Sequence, residues 1–158
     1  MSSPIRIGII GQGRSGRNIH AEFLKNIPEK FTIAAVSDFL EDRCERARKE
    51  YGCAAFQDYK EMLADKSLAL DLVINASFSH QHAPITADVM NAGINVLSEK
   101  PFAKTADQAR ELIGVSKRTG KLLAVFQQSR FAPYYRQVQK VVNSGVLGEI
   151  RLVKIAFN

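Results

Sequence analysis

The stretch from Ile5 to Gly16 reads Ile-Arg-Ile-Gly-Ile-Ile-Gly-Gln-Gly-Arg-Ser-Gly, a short apolar strand that runs straight into glycines at 11, 13 and 16. This spacing constrains the fold more than any other feature, because it is that of the phosphate turn in a dinucleotide-binding βα unit. Gly11 permits the tight turn, Gly13 lets backbone approach a pyrophosphate, and Gly16 lets the following helix pack closely on its strand. The helix beginning near Arg14 then aims unpaired N–H groups and the positive end of its dipole at the phosphates. Gln12, Arg14 and Ser15 complete the candidate cofactor-binding turn. Glycine-rich turns follow strands in many proteins, so the flanking sequence has to decide.

The next apolar run, Phe31 to Val36, ends at Ser37-Asp38, and Asp38 lies 22 positions beyond Gly16. An acidic side chain about 20 residues past the glycines meets the adenosine ribose in such units. A carboxylate there accepts hydrogen bonds from both ribose hydroxyls and repels a 2′-phosphate, which favours NAD over NADP. Arg14 and Arg43 offer compensating charge, so NADP stays the second candidate. Asp38 could instead cap the helix that follows, as Asp commonly does.

The chain has 158 residues, 46% of them apolar, enough for one domain with a real core and too few for two full ones. Its net charge of +6, from 22 basic against 16 acidic residues, is spread along the sequence. The densest basic group, Arg43, Arg46, Arg48 and Lys49, alternates with Glu41, Asp42, Glu45 and Glu50 and reads as a solvated helix face. No aromatic-basic interleaving points to nucleic acid. Cys44 and Cys53 match no zinc signature and give no disulfide framework, so a reduced, cytoplasmic setting and no metal are expected. The run Ile5 to Ile10 is too short to span a bilayer, and no basic leader precedes it, so no membrane partner is expected.

Strand and helix patterns alternate along the chain, which predicts an α/β fold: a Rossmann-type doubly wound parallel sheet. In the first helix, Ile19, Phe23, Leu24 and Ile27 recur at helical spacing before Pro28. His20, a lone imidazole with no evident partner, reads as a packing residue. Cys44, Ala47 and Tyr51 form the inward stripe of a second helix closed by Gly52. Residues 58–64 suggest a short third helix. Leu72 to Ala76 reads as a buried parallel strand, delivering Ser77-Phe78-Ser79-His80-Gln81-His82 to the ligand-binding carboxyl edge of the sheet. A helix with Pro84 in its first turn and Gly93 at its end follows. The strand Ile94 to Ser98 then delivers Glu99-Lys100-Pro101 to the same edge. Thr105 and Gln108 form a capping-box pair opening a helix with Ala109, Leu112, Ile113 and Ser116 inward, and Leu122 to Phe126 gives the last strand. The dinucleotide-binding domain is expected over 1–128. Residues 129–158 are expected to begin a second α/β domain: a helix over Pro133 to Ser144 with Tyr134, Val138, Val141 and Val142 on one side, then an alternating strand from Arg151 to Asn158.

These residues resemble the Gfo/Idh/MocA family of NAD(P)-dependent oxidoreductases. The resemblance is carried by Gly11 to Gly16, by Ser77 through His82, and above all by Asn95-Val96-Leu97-Ser98-Glu99-Lys100-Pro101. Ser129-Arg130-Phe131 and Gly145-Val146-Leu147-Gly148-Glu149-Ile150 extend it over essentially the whole chain. The resemblance implies that Lys100 lies beside the nicotinamide and contacts the substrate hydroxyl as the catalytic residue. A lysine partly desolvated there can exchange a proton with a hydroxyl or carbonyl oxygen. Glu99 would orient Lys100 or meet the nicotinamide ribose. Ser77 and Phe78 match the family's Thr-Pro dipeptide near the cofactor, with Phe78 a departure that questions the local turn, and His82 matches a recurrent His at the start of the next helix. Gln128 and Arg130 fall where the family approaches the nicotinamide end. The family continues into a larger α/β domain that binds substrate and often builds a homo-oligomer, so the chain is expected to be a truncated form that binds cofactor.

The implied activity is hydride transfer between nicotinamide and a hydroxyl-bearing carbon of a sugar, inositol or related polyol. A non-catalytic dinucleotide sensor is a second reading, since fold does not fix function. A third, an S-adenosylmethionine methyltransferase, is opposed by the full glycine triplet and by Glu99-Lys100-Pro101.

Overall fold

A computed structural model describes residues 3–156. The chain divides into two compact units, one ending at Phe126 and the other beginning at Gln127.

The first unit is built on six strands: β1 (Ile5–Ile10), β2 (Phe31–Ser37), β3 (Ala54–Phe56), β4 (Leu72–Asn75), β5 (Asn95–Ser98) and β6 (Leu123–Val125). They form one sheet in the order β3-β2-β1-β4-β5-β6, and every neighbouring pair is parallel. The order reverses between β1 and β4, which is where open α/β sheets leave a crevice at their carboxyl edge. Ile9 of β1 sits in register with Val36 on one side and Ile74 on the other, so the apolar runs stack as a buried ladder.

Alternation along the strands separates two cores. Ile7, Ile9, Val36 and Ile74 pack on one face of the sheet with Ala21, Leu24 and Ala47; Ile10, Ala35, Val73 and Val96 pack on the other with Met62, Val89, Leu112 and Val115. The first face is covered by helix α1 (Arg14–Ala21 running into Glu22–Leu24) and α2 (Glu41–Tyr51); the second by α3 (Tyr59–Ala64), α4 (His82–Asn91) and α5 (Ala106–Thr119). Covering both faces explains why the strands read as apolar runs rather than alternating ones.

Several expectations change at the level of helix faces. The buried residues of α1 are Gly16, His20, Ala21 and Leu24, whereas Ile19 and Phe23 are exposed. Its first turns are wound as a π-helix, with the Glu22 N–H bonded to the Arg17 carbonyl, and this wider winding shifts which residues meet the sheet. In α5 the buried pair is Leu112 and Val115, and Ile113 faces out. Thr105 caps α5 by accepting from the Gln108 N–H, but the Gln108 side chain accepts from the N–H of Lys104, one residue before the cap. β3 escaped the sequence pattern altogether, being only three residues long.

In the second unit, a 3₁₀ turn (Gln128–Phe131) precedes helix α6 (Pro133–Asn143), and Gly145 follows with φ +74°. The expected strand from Arg151 is not formed over Arg151 to Ala156, and Phe157 and Asn158 lie outside the described residues. A strand exists only where a neighbour pairs with its backbone groups, and none does so here among the described residues.

The turn between β1 and α1 leaves no room for side chains. Gly11 has φ +91°, and a Cβ there would overlap the Ala76 carbonyl; a Cβ at Gly16 would overlap the carbonyl oxygen of Gly11. Both obstacles are backbone and cannot rotate away. Gly16→Ala is therefore expected to lower unfolding stability by on the order of 3 kcal/mol, read by urea denaturation, and Gly93→Ala to act only through its positive φ.

Candidate functional site

Because all six strands are parallel, the turns after β1, β2, β4 and β5 leave from one edge, so Asp38 and Lys100 follow strand ends on the same rim. The turns after β1, β2 and β4 enclose a cavity of about 290 Å³, lined by Gly11, Gly13, Arg14 and Ser15 from the glycine turn, by Asp38, Phe39 and Arg43 beyond β2, and by Ser77 and Phe78 beyond β4.

The glycine turn is open where a phosphate group would need it open. A Cβ at Gly13 would meet nothing closer than an Arg43 nitrogen at 3.8 Å. Gly13 is the N-cap of α1 and supplies no side chain to its first N–H groups, which are left for a ligand. An anion therefore fits at this end on steric and electrostatic grounds.

Asp38 ties two turns together. Its side chain is 2% exposed, and Oδ2 accepts from the Gln12 N–H at 2.7 Å and from Arg43 at 3.2 Å, while Oδ1 accepts from the Leu40 N–H at 3.1 Å. The bond to Leu40 is an Asx turn leading into α2, so the capping and site readings of this residue coexist. Arg43 places a positive charge on the same carboxylate oxygen, which softens the repulsion of a 2′-phosphate. Gln12 contributes its N–H to this knot, and its side-chain amide is buried with neither end partnered among the described residues.

Beyond β4, Asn75 is the organiser that sequence reasoning passed over. Fully buried, it donates to the His82 carbonyl and to Thr86 Oγ1, and accepts from Ser77 at both the hydroxyl and the N–H. A polar residue closing an apolar strand is the signal that could have flagged it. Phe78 has φ −67°, the angle a proline would lock, so the turn survives the departure from the family pattern. Its exposed ring lies 5.9 Å from that of Phe39 and 5.9 Å from that of His80. The expected contact from His82 to a cofactor gives way to a different role. His82 is 2% exposed, with Nδ1 at 2.7 Å from the Pro101 carbonyl and Nε2 at 3.0 Å from the Ser77 carbonyl. Both nitrogens face protein carbonyl oxygens, and the ring braces the β4 turn against the β5 turn.

Beyond β5, the Lys100–Pro101 peptide is cis. The Lys100 side chain is exposed rather than desolvated, and its backbone N–H donates to Glu99 Oε2 at 3.0 Å. Glu99 itself is buried, and its other oxygen lies 3.0 Å from His20 Nε2. His20 thus has the partner that the sequence did not reveal. Burial pushes the His20 pKa down from its ordinary value against the opposing pull of Glu99, and since a carboxylate oxygen accepts, Nε2 is the nitrogen that carries a proton toward Glu99. Its edge also packs on Phe126, with centroids 4.5 Å apart. Gln128 and Arg130 belong to the second unit, in the turn before α6, and both are exposed.

Among the described residues, no helix is long and apolar enough to cross a membrane. Residues 5–127 match the oxidoreductase family Gfo/Idh/MocA, described by its NAD-binding Rossmann fold. The chain is 33% identical over 151 residues to D-glucoside 3-dehydrogenase of Escherichia coli, covering 94% of the chain and 42% of that protein. It superposes on myo-inositol 2-dehydrogenase from Lactobacillus plantarum with a TM-score of 0.83 at 29% identity, over 93% of the chain and 43% of that structure. It also superposes on a 3-ketoreductase from Actinomadura kijaniata, in complex with TDP-benzene and NADP, with a TM-score of 0.85 at 28% identity, over 94% of the chain and 46% of that structure. The chain thus spans less than half the length of each of these relatives. By its glycine turn, the acidic residue after β2 and the family match over residues 5–127, the chain belongs to the Gfo/Idh/MocA oxidoreductases and comprises their NAD-binding Rossmann domain.

Proposed function

We propose that this chain is the cofactor-holding part of an enzyme that moves hydride between a nicotinamide and the hydroxyl-bearing carbon of a sugar, inositol or related polyol. The observation that carries this reading is the delivery of Asp38 and Lys100 to one rim, on either side of the glycine turn. The activities named for the glucoside and inositol dehydrogenases among its relatives support the substrate class. The working enzyme is proposed to be a homo-oligomer.

When bound, the dinucleotide supplies the hydride acceptor; the chain supplies the rest. Backbone N–H groups of Gly13, Arg14 and Ser15 hold the pyrophosphate without the reorganisation that flexible side chains would require. Asp38, fixed by three donors, keeps an acceptor at the adenosine ribose. Lys100, free in solvent, holds or accepts a proton at Nζ against the substrate oxygen, so that charge does not build up there as the C–H bond breaks. Ser77 and Phe78 shape the wall of the groove, and Gln128 and Arg130 stand in the segment that follows the sheet. Glu99 and His82 act from beneath, by fixing the turns that carry these groups.

NAD is proposed as the preferred cofactor, with NADP tolerated through Arg43. Asp38→Ala is expected to weaken NAD binding about tenfold in calorimetry while NADP affinity changes less. Damage to the turn would lower both equally, so the ratio isolates the ribose contact, and equal losses would remove Asp38 from it. In the intact enzyme, Lys100→Met should cut polyol oxidation about 10²- to 10⁴-fold with ADP-ribose affinity within about twofold; retention of the rate would exclude Lys100 as the proton carrier.

A further inference from the structure

We propose that His20, seventy-nine residues from the motif it serves, is the positioning residue for the Lys100 turn, acting through the carboxylate of Glu99. This rests on the reading of Lys100 given above.

The geometry is a relay of fixed contacts. His20 emerges from α1, just beyond the glycine turn, and is 5% exposed; Glu99 closes β5 and is 4% exposed. His20 Nε2 and Glu99 Oε1 are 3.0 Å apart, and Glu99 Oε2 accepts from the Lys100 N–H at 3.0 Å. The Glu99 N–H is in turn bonded to the Asn75 carbonyl. Both carboxylate oxygens are therefore occupied, one by a donor from α1 and one by the backbone of the residue whose side chain enters solvent at the rim. Phe126 fixes the imidazole from the side, its ring at 4.5 Å and its N–H bonded to the Ser98 carbonyl.

A buried carboxylate with one donor removed has no water to turn to and must seek another partner. The group it is then free to leave is the Lys100 N–H. Through this carboxylate, the helix that presents N–H groups to the pyrophosphate and the turn that presents Lys100 are set relative to each other, so the two ends of the cofactor groove share one brace. The ordinary alternative, a histidine that only fills space under α1, makes no demand on the Nε2–H.

The test uses this chain with three substitutions. His20→Leu fills the space without a donor; His20→Gln restores an N–H donor at similar reach; His20→Asn, whose amide stops short of Glu99, replaces the leucine variant if that one does not fold. Amide hydrogen exchange is followed at Lys100 and along α1, and the affinities for NADH and ADP-ribose are measured together. The expected result is exchange at Lys100 about tenfold faster in His20→Leu, α1 amides unchanged, and recovery to within about twofold in His20→Gln. NADH affinity should fall about fivefold in His20→Leu while ADP-ribose affinity holds within about twofold. Unchanged exchange at Lys100, an equal rise throughout α1, or failure of His20→Gln to restore protection would overturn the proposal. If exchange responds as expected but NADH and ADP-ribose shift together, the brace stands and the placement of Lys100 at the nicotinamide end falls.

Discussion

The carbonyl oxygen of Gly11 occupies the space that a side chain at position 16 would need, and the Ala76 carbonyl occupies the space a side chain at position 11 would need. Two backbone-to-backbone approaches thus draw β1, α1 and the end of β4 to within contact, closer than any residue with a Cβ allows. The rest of the site depends on this closeness. It sets the start of α1 above the crevice where the strand order reverses, with its first N–H groups uncapped, and it brings the Gln12 N–H to the carboxylate beyond β2.

Around that compact turn, buried polar side chains link successive strand ends. Asp38 joins the β1 turn to the β2 turn, Asn75 and His82 join the β4 turn to α4 and to Pro101, and Glu99 joins the β5 turn to α1 through His20. Each of these groups is engaged by protein partners and holds backbone still, and Asp38 also lines the groove. The groups left facing the groove are glycine backbone, Arg14, Ser15, Phe39, Phe78 and Arg43, and Lys100 stands exposed on the same rim. Positioning residues are buried and presenting residues are open, the division expected where a ligand must be met without rearrangement.

Much of this could be read from the chain. Five of the six strands announce themselves as apolar runs, and the glycine triplet with Asp38 marks the carboxyl edge of the sheet. What could not be read had physical causes. β3 is three residues and carries no periodicity. Ile19, Phe23 and Ile113 are apolar but exposed: the π-wound start of α1 turns the first two away from the sheet, α5 buries Leu112 and Val115 instead of Ile113, and hydrophobicity alone does not settle which side of a helix is covered. His82 resembled a ligand residue, but burial and two carbonyl partners made it a brace. The pairing of His20 with Glu99 joins residues far apart in sequence, with no local pattern to betray it. The alternation after Arg151 was genuine, yet alternation makes a strand only beside a partner, and the described residues supply none.

The central claim is that a dinucleotide lies along the carboxyl edge of this sheet, held at the pyrophosphate by the backbone of the glycine turn. Titrating NAD into isotope-labelled chain and following backbone amide shifts tests it most directly. The account predicts the largest shifts at Gly11 to Gly16, with further shifts at Asp38, Ser77 and Lys100. Shifts concentrated at Ile5, Phe31, Asp71 or Asn95, at the amino edge of the same sheet, would contradict it.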